Sequence, residues 1–148
     1  MEKMSANTKP TYSIGTVSRM LGVSVHTLRM YEREGLIIPH KSDGNHRLYS
    51  PADVDRLNCI RRAILEEKIS IAGIRRIQAL IPCWDIKQCS EEDRSHCKAF
   101  RSHERGCWTY KHKKNMCAEL DCRTCDVYES AIDCGNIKQR IIELAFER

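Results

Sequence analysis

This sequence of 148 residues lacks long apolar runs and contains few aromatic residues. No stretch of about 18 consecutive apolar residues occurs, so the sequence predicts no membrane-spanning helix. The first residues, MEKMSANTKPTYS, contain no hydrophobic stretch, so no secretory leader is expected. Only 6% of the residues are aromatic, but 41% are apolar and 30% are charged, which is typical of a folded chain and not of a disordered tail. We therefore expect a cytoplasmic protein.

Charge and cysteine are distributed in opposite ways along the chain. Residues 1–82 contain 13 lysines and arginines against 8 acidic residues, whereas residues 83–148 contain 12 of each. Only one of the nine cysteines, Cys59, lies in the first half. A basic first half predicts contact with a polyanion. A neutral half rich in cysteine predicts metal binding, because cytoplasmic thiols stay reduced and disulfides are rare there.

Four serines in the first half have the arrangement of helix N-caps with a hydrophobic staple: Ser13, Ser24, Ser50 and Ser70. They predict helices that begin near residues 14, 25, 51 and 71. Gly22 suits the left-handed residue that ends the first helix, so the first two helices are joined tightly. The pair predicts a helix-turn-helix, with a plain helical hairpin as the alternative.

A hairpin is predicted directly after the second helix. Gly35 ends that helix, and residues 37–39 can be extended. Residues 41–46 have turn chemistry, and residues 47–49 alternate like a returning strand. This hairpin would be a wing beside the recognition helix, and it favours the helix-turn-helix over the plain hairpin.

Residues 12–81 resemble the MerR family of winged-helix regulators, and among its branches the short heat-shock repressors. The resemblance rests on the runs YSIGTVSRMLGVSVHTLRMYEREGL, GNHRLYSPADVDRLNCIRR and ISIAGIRRI. It implies that the second helix enters the major groove of DNA and that the wing grips the backbone. The DNA-binding residues it implies are Ser24, Val25, His26, Arg29, Lys41, His46, Arg47 and Tyr49.

These residues are expected to divide into those that contact base edges and those that contact phosphates. His26 and Arg29 are expected to contact base edges, because arginine binds guanine O6 and N7 with two hydrogen bonds. Arg47 and Tyr49 are expected to bind phosphates, with core packing as the alternative for Tyr49. Arg56 is interpreted, with Arg33, Arg61 and Arg62, as part of a solvated helix face.

The second half has the cysteine spacing C-x5-C-x7-C-x9-C-x9-C-x4-C-x2-C-x8-C, from Cys83 to Cys134. Cys122 and Cys125 suit two ligands of one zinc ion or one iron–sulfur cluster. Aliphatic residues are few here, so a metal would supply the cross-links that a small apolar core cannot. Three histidines lie among the cysteines: His96, His103 and His112. Each is a candidate ligand, but in a segment this polar an exposed position is favoured.

The runs PCWDIKQCS, HCKAF, GCWTY, MC and CRTCDVY resemble a small module with two Cys-Trp signatures, found attached to sensory proteins of anaerobic bacteria. The resemblance leaves Cys134 outside the module. The metal ligands it implies are Cys83, Cys89, Cys97, Cys107, Cys117, Cys122 and Cys125. Seven thiols suit one four-ligand centre with spare thiols, and an iron–sulfur cluster is favoured over zinc. Both remain open.

These features predict a mainly α fold with a small β wing, in which a winged helix-turn-helix precedes a metal-stabilised cysteine-rich segment and a C-terminal helix. The expected divisions are a flexible N-terminus (1–11), a DNA-binding domain (12–82), a cysteine module (83–134) and a last helix (135–148). The apolar stripe of that helix is a candidate for dimer contact, with core packing as the alternative. The predicted protein is a homodimeric transcription regulator, not an enzyme. It binds double-stranded DNA at an inverted-repeat operator, with RNA polymerase as a further candidate partner.

The cysteine module is expected to sense redox state, a metal or a small reactive effector. The alternative is a DNA-binding regulator with a purely structural zinc module that recruits a protein partner. A redox enzyme that uses Cys122 and Cys125 is a third hypothesis, but no cofactor fold supports it. The sequence departs from the larger MerR-type regulators at Pro82, where cysteines replace the start of their long dimerising helix.

Overall fold

The computed structural model describes residues 6–130 and 136–146, which are mainly helical with one small sheet. The helices are α1 (Ile14–Leu21), α2 (Val25–Arg33), α3 (Pro51–Leu65), α4 (Ile71–Ala79), α5 (Cys83–Ile86), α6 (Glu91–Ser95), α7 (Lys98–Arg101), α8 (Asp126–Ser130) and α9 (Asn136–Phe146). Single 3-10 turns occur at Ala6–Thr8, Cys107–Thr109 and Cys122–Thr124. The strands are β1 (Tyr12–Ser13), β2 (His40–Lys41) and β3 (Arg47–Tyr49).

Parts of three predicted divisions lie outside the described residues: the start of the flexible N-terminus, the end of the cysteine module with Cys134, and both ends of the last division. Within the described ranges, no helix has the length and apolar character needed to cross a membrane.

The four predicted helix starts are confirmed. Helices α1 to α4 begin directly after Ser13, Ser24, Ser50 and Ser70, and each serine side chain accepts a hydrogen bond from the backbone N–H three positions later. The cap of α3 is a complete capping box with proline as the first helical residue. Gly22, with φ at 65°, ends α1 in the left-handed conformation that glycine adopts without steric cost.

The predicted hairpin is present, and a third strand joins it. Strands β2 and β3 are antiparallel, around a turn in which Asn45 has a φ of 61°. Strand β1 pairs along the other edge of β3, which gives the sheet order β1-β3-β2. The first arm of the hairpin begins later than the predicted residues 37–39, and Ile37 instead packs in the core.

The buried side chains form two clusters. The first joins helices α1 to α4 with the sheet and contains Val17, Leu21, Leu28, Tyr31, Leu36, Ile37, Tyr49, Val54, Leu57, Ile60, Ala63 and Ile74. The second contains Ile81, Trp108, Val127 and Tyr128. Ile38 and four cysteines pack against this second cluster. The cysteine-rich half therefore has a small core of its own, which touches the first half through Ile38.

Candidate nucleic-acid interface and cysteine cluster

Helix α2 presents one apolar face to the core and one polar face to solvent. His26 and Arg29 are exposed on its first turns, one helical turn apart. Ser24 caps the helix by accepting a hydrogen bond from the Thr27 N–H at 3.0 Å, and Val25 is half-buried. The structure therefore places both side chains that were predicted to read bases on the exposed face of the recognition helix.

The wing lies beside this helix and is tied to it by an ion pair. Lys41 and His46 are exposed, whereas Arg47 is half-buried. The Arg47 Nε atom donates to Glu32 Oε2 at 2.5 Å, which joins β3 to α2. As placed, Arg47 has a carboxylate as its partner, so a phosphate would have to compete with Glu32 for the guanidinium.

Tyr49 occupies a different position from the other wing residues. Its side chain is fully buried in the first core, and burial raises the pKa of its hydroxyl to about 12. The hydroxyl has no hydrogen-bond partner within the described part of the chain. The prediction that Tyr49 binds phosphate is therefore wrong for this structure. The alternative of core packing is what the structure has, because the pairing of β3 with β1 turns this side chain inward.

All seven module cysteines line one cavity of about 30 Å³, and His112 lines it with them. Every one of these thiols is free and half-buried. Thiolate and imidazole are ligands that zinc prefers, and thiolates hold iron–sulfur clusters, so the donor set fits the predicted groups. No three suitable donors within the described ranges converge closely enough to hold a metal ion as they stand. Binding would draw the sulfurs together and release their protons.

The pKa values of the thiols reflect this crowding. A hydrogen bond between Cys83 and Cys107 lowers the pKa of Cys83 and raises that of Cys107. Burial and, to a smaller extent, repulsion from Cys89 raise the pKa of Cys117 to about 11. Burial also raises the pKa of the Cys89 and Cys122 thiols. The raised values favour protonated thiols until a cation competes for the sulfurs.

His112 is a residue of this cluster for which sequence reasoning favoured an exposed position over a place among the ligands. It is half-buried, not exposed as expected, whereas His96 and His103 are exposed. The His112 Nδ1 atom lies 3.9 Å from Cys97 Sγ, and its Nε2 atom lies 2.9 Å from the Cys107 carbonyl oxygen. The only sequence signal is its position five residues after Cys107, which by itself does not separate a ligand from a surface histidine.

Cys59 is not among the cysteines that line the cavity. It is half-buried on α3 and is disulfide-bonded.

Side chains next to the cluster cysteines bind the segment of residues 35–38, which connects α2 to the wing. Trp108 follows Cys107, and its indole Nε1 donates to the Gly35 carbonyl at 2.7 Å. Arg123 follows Cys122, and its Nη1 atom donates to the Ile38 carbonyl at 2.7 Å. The cysteine half thus contacts the segment that joins the recognition helix to the wing.

Arg56 lies at the centre of the contact between the two halves. It is the second residue whose role the sequence did not indicate. It is 1% exposed, so its interpretation as part of a solvated helix face is wrong. Its Nε atom donates to the Leu36 carbonyl at 2.8 Å, and its Nη1 atom donates to the Tyr128 carbonyl at 2.7 Å. The guanidinium lies over the rings of Tyr128 at 3.9 Å and Trp108 at 5.0 Å, in cation–π geometry.

Two further details make the contact specific. Arg123 Nη2 donates to Asp53 Oδ2 at 3.1 Å, and Asp53 is also the acidic member of the α3 capping box. Gly35 has a φ of 75°, and a Cβ atom there would lie 2.5 Å from Thr109 Cγ2. A side chain at position 35 would therefore be strained and would also push the cysteine half away.

Two capped helices joined at a left-handed glycine, followed by a wing, define a winged helix-turn-helix. Residues 12–80 match the family model described as MerR HTH family regulatory protein, so this part of the chain is a MerR-family helix-turn-helix domain. The predicted family resemblance is confirmed for this domain. The match ends before Cys83 and does not cover the cysteine cluster.

Several curated proteins are similar to the chain. The heat shock protein HspR of Streptomyces coelicolor is 37% identical over 68 residues, which are 46% of this chain and 45% of HspR. The transcriptional regulator GlnR of Bacillus anthracis is 33% identical over 75 residues, 51% of this chain and 57% of GlnR. The transcriptional activator TipA of Streptomyces coelicolor is 47% identical over 51 residues, 34% of this chain and 20% of TipA.

The chain spans about half the length of HspR and GlnR. GlnR is named as a transcriptional regulator and TipA as a transcriptional activator.

Proposed function

We propose that the chain is a DNA-binding transcription regulator that reads an operator through α2 and grips the backbone through the wing. The observation that carries this proposal is the exposed pair of His26 and Arg29 on a capped helix beside the exposed wing residues Lys41 and His46. The excess of positive charge in residues 1–82 supports it, because phosphate neutralisation supplies most of the affinity of such proteins for DNA.

The proposed regulator is a homodimer on an inverted-repeat operator, since one winged helix reads only one half-site. Helix α9 supports this part of the proposal. Ile141, Ile142 and Phe146 are large apolar side chains that stay exposed on it, and Phe146 is 81% exposed. Covering this face with the same face of a second copy would bury it. RNA polymerase remains a candidate partner of the bound dimer.

The cysteine cluster is proposed to sense redox state, a metal or a small reactive effector. The bound group would be an iron–sulfur cluster or zinc, held by sulfurs of the cavity, and it would supply redox change or ligand exchange there. Support comes from the contacts that follow these cysteines in the chain. Trp108 and Arg123 donate hydrogen bonds to the carbonyls of Gly35 and Ile38, and the Tyr128 hydroxyl accepts one from the Ile38 N–H. A movement of the cysteines would therefore displace the segment between α2 and the wing.

A specific observation favours the second candidate function, a structural zinc module that recruits a protein partner. The half-buried imidazole of His112 stands among the thiols, and zinc accepts mixed thiolate and imidazole ligands. Protein purified without oxygen separates the candidates by colour and content. A brown sample with iron and sulfide indicates the sensor cluster, and a colourless sample with zinc indicates the structural module.

The DNA-binding proposal is tested by affinity for a duplex as a function of salt. Log affinity should fall with log salt with a slope of about −0.9 for each phosphate neutralised. Arg47→Ala should flatten that slope by about one phosphate and weaken cognate and random DNA alike. Glu32→Gln should strengthen binding to both, because it frees Arg47 from its carboxylate partner. Equal affinity at low and high salt would remove the electrostatic account.

The sensing proposal is tested by comparing metal-loaded protein, metal-free protein and the double variant with Cys122→Ser and Cys125→Ser. Metal-free protein and the variant should keep their affinity for random DNA. Their preference for the paired operator over random DNA should fall by about 1–3 kcal/mol of binding free energy. The reason is that the recognition helices of the two subunits lose their fixed spacing. His103→Ala is the control, since it changes an exposed side chain of the same module. Equal operator affinity with and without metal would decide against a sensor.

A further inference from the structure

The eight sulfur and imidazole donors of the cavity fall into two groups, and the first is centred on Cys107. Its thiol shares a hydrogen bond with Cys83, and it lies within electrostatic range of Cys122 and Cys125. The same four cysteines, and no other described cysteine, pack against the small core of the second half. They form the inner group, which is the one next to Trp108, Arg123 and the contact with the DNA-binding domain.

The remaining three thiols and one imidazole line the same cavity, and these thiols do not pack against that core. Cys117 lies within electrostatic range of Cys89 and Cys97, and it is also in range of Cys125 and Cys122 of the inner group. The Cys97 sulfur lies 3.9 Å from His112 Nδ1. The Cys89 thiol contacts the Met116 sulfur at 3.6 Å, beside Cys117 in sequence. These four donors form the outer group: Cys89, Cys97, Cys117 and His112.

The hydrogen bonds of His112 leave one ring nitrogen free to bind a metal. The Nε2 atom faces the Cys107 carbonyl at 2.9 Å, and a carbonyl only accepts, so Nε2 carries the hydrogen. In the neutral ring the lone pair is then on Nδ1, which faces Cys97. Histidines that bind metals commonly donate their other N–H to a backbone carbonyl in this way. Asn115 Nδ2 also approaches Nδ1, at the long distance of 3.4 Å, and a metal would displace it.

The observed spacing is close to that of two ligands on one zinc ion. A thiolate at about 2.3 Å and an imidazole at about 2.0 Å from a tetrahedral ion lie roughly 3.5 Å apart. The Cys97 and His112 atoms need to approach by only a few tenths of an ångström to reach that value. Lys87 and Arg94 line the cavity as well, and their positive charges offset the excess negative charge of thiolate ligands.

We propose that the module contains two metal centres, an inner centre of four thiolates and an outer zinc centre formed by Cys89, Cys97, Cys117 and His112. The outer centre rests on the proposed function only in that the module binds metal at all. Three thiols lose their protons to solvent when the zinc ion binds, and the imidazole enters as the neutral ligand. With His112 as the eighth donor, all seven module cysteines have a place, and none is left as a spare thiol.

The test measures metal in the full-length chain purified without oxygen and dialysed against metal-free buffer, then loaded with zinc or with Co²⁺ as a spectroscopic probe. His112→Ala should lose about one equivalent of zinc per chain relative to the unsubstituted protein, because a tetrahedral site loses one of its four ligands. His112→Cys should retain that equivalent, since a fourth thiolate replaces the imidazole. Its Co²⁺ form should absorb more strongly in the thiolate-to-metal charge-transfer region. His103→Ala should match the unsubstituted protein.

Cys107→Ser completes the test, because it should remove the inner metal while the outer zinc remains. Equal metal content in His112→Ala and His103→Ala would overturn the assignment of His112. Loss of all metal from both His112→Ala and Cys107→Ser would also overturn it, since that result means one shared centre. A chain that binds no metal would overturn both this inference and the proposed sensor. Salt-dependent binding to random DNA, measured on each variant, reports separately on the DNA-binding proposal and shows that the first domain is folded.

Discussion

The two halves of the chain are stabilised by different means. Between residues 6 and 80 the helices are 8 to 15 residues long, each begins at a capping serine, and twelve buried side chains form one core. Between residues 81 and 130 the α-helices have four or five residues, and only four buried side chains form a core. Short helices with so little apolar burial are not stable alone in water.

The difference shows where the second half obtains its order. Besides its small core, two features stabilise the second half: the cluster of thiols and the contact with the first half. That contact is built mainly from hydrogen bonds of arginine and tryptophan side chains to backbone carbonyls, with Arg56 buried at its centre. The dependence runs in both directions, because the same contact fixes the segment of residues 35–38 between the recognition helix and the wing.

Metal removal should produce the largest difference between the halves. Structural zinc contributes on the order of 10 kcal/mol or more to the folding of small domains at neutral pH. Amide hydrogen exchange of chelator-treated protein should therefore show loss of protection between residues 83 and 130. The first core, including α3, should stay protected. Protection that falls equally in both halves would contradict the separation, and unchanged protection would show that the second half needs no metal.

Substitution of Arg56 should have the next largest effect, because it acts on the contact itself. Arg56→Ala leaves the buried carbonyls of Leu36 and Tyr128 without a donor and removes the guanidinium from two aromatic rings. The free energy of unfolding should fall by about 2–4 kcal/mol, measured by urea titration. Arg62→Ala, at an exposed position on the same helix, should change it by less than about 0.5 kcal/mol. Equal effects of the two substitutions would show that the contact adds nothing to stability.

Arg56 also shows where prediction from sequence reaches its limit. The four capped helices, the left-handed Gly22 and the wing could be predicted, because each depends on residues within a few positions of one another. An arginine between charged neighbours on a helix has the same local pattern whether it faces solvent or a second domain. Its partners Trp108 and Tyr128 are far away in sequence, and no local pattern connects them with it.

The candidate sites divide in the same way. Exposure of His26 and Arg29 follows from the helical period, and clustering of the cysteines follows from their density. The burial of Tyr49 depends on β1, a strand of two residues that gives no periodic signal. The inward position of His112 depends on how the loops between Cys97 and Cys117 fold together, which spacing alone does not determine.

The third effect in size concerns the recognition helix. Arg29→Ala should weaken binding to the cognate operator by about 1–3 kcal/mol and affect random DNA much less, because a bidentate base contact is lost. His26→Ala should do the same more weakly. Arg76→Ala removes the same charge from an exposed position on α4 and serves as the control in a fluorescence titration. If Arg29→Ala lowers cognate and random binding in proportion, the side chain contacts only phosphates and its assignment to base edges is wrong.

The smallest expected effect is on the free energy of unfolding when the capping box of either half is removed. Ser50 and Asp53 cap α3 where both are buried, and Asp53 also accepts a hydrogen bond from Arg123. Ser90 and Asp93 form the same reciprocal pair at the start of the exposed, five-residue α6. Ser50→Ala should lower the free energy of unfolding of the whole chain by about 1–2 kcal/mol, since a long core helix loses its cap.

Ser90→Ala should leave that global value nearly unchanged and should only increase local hydrogen exchange in α6. The pKa of Asp93 is lowered chiefly by its hydrogen bond from Ser90, so the unsubstituted box is intact at neutral pH and weakens as the pH falls through that lowered pKa. Once the measured rates are divided by the intrinsic exchange rate at each pH, the protection of α6 should therefore fall on acidification in the unsubstituted chain and depend less on pH in Ser90→Ala. A global destabilisation by Ser90→Ala as large as that by Ser50→Ala would mean that the second half unfolds together with the first, and that the two halves form one cooperative unit.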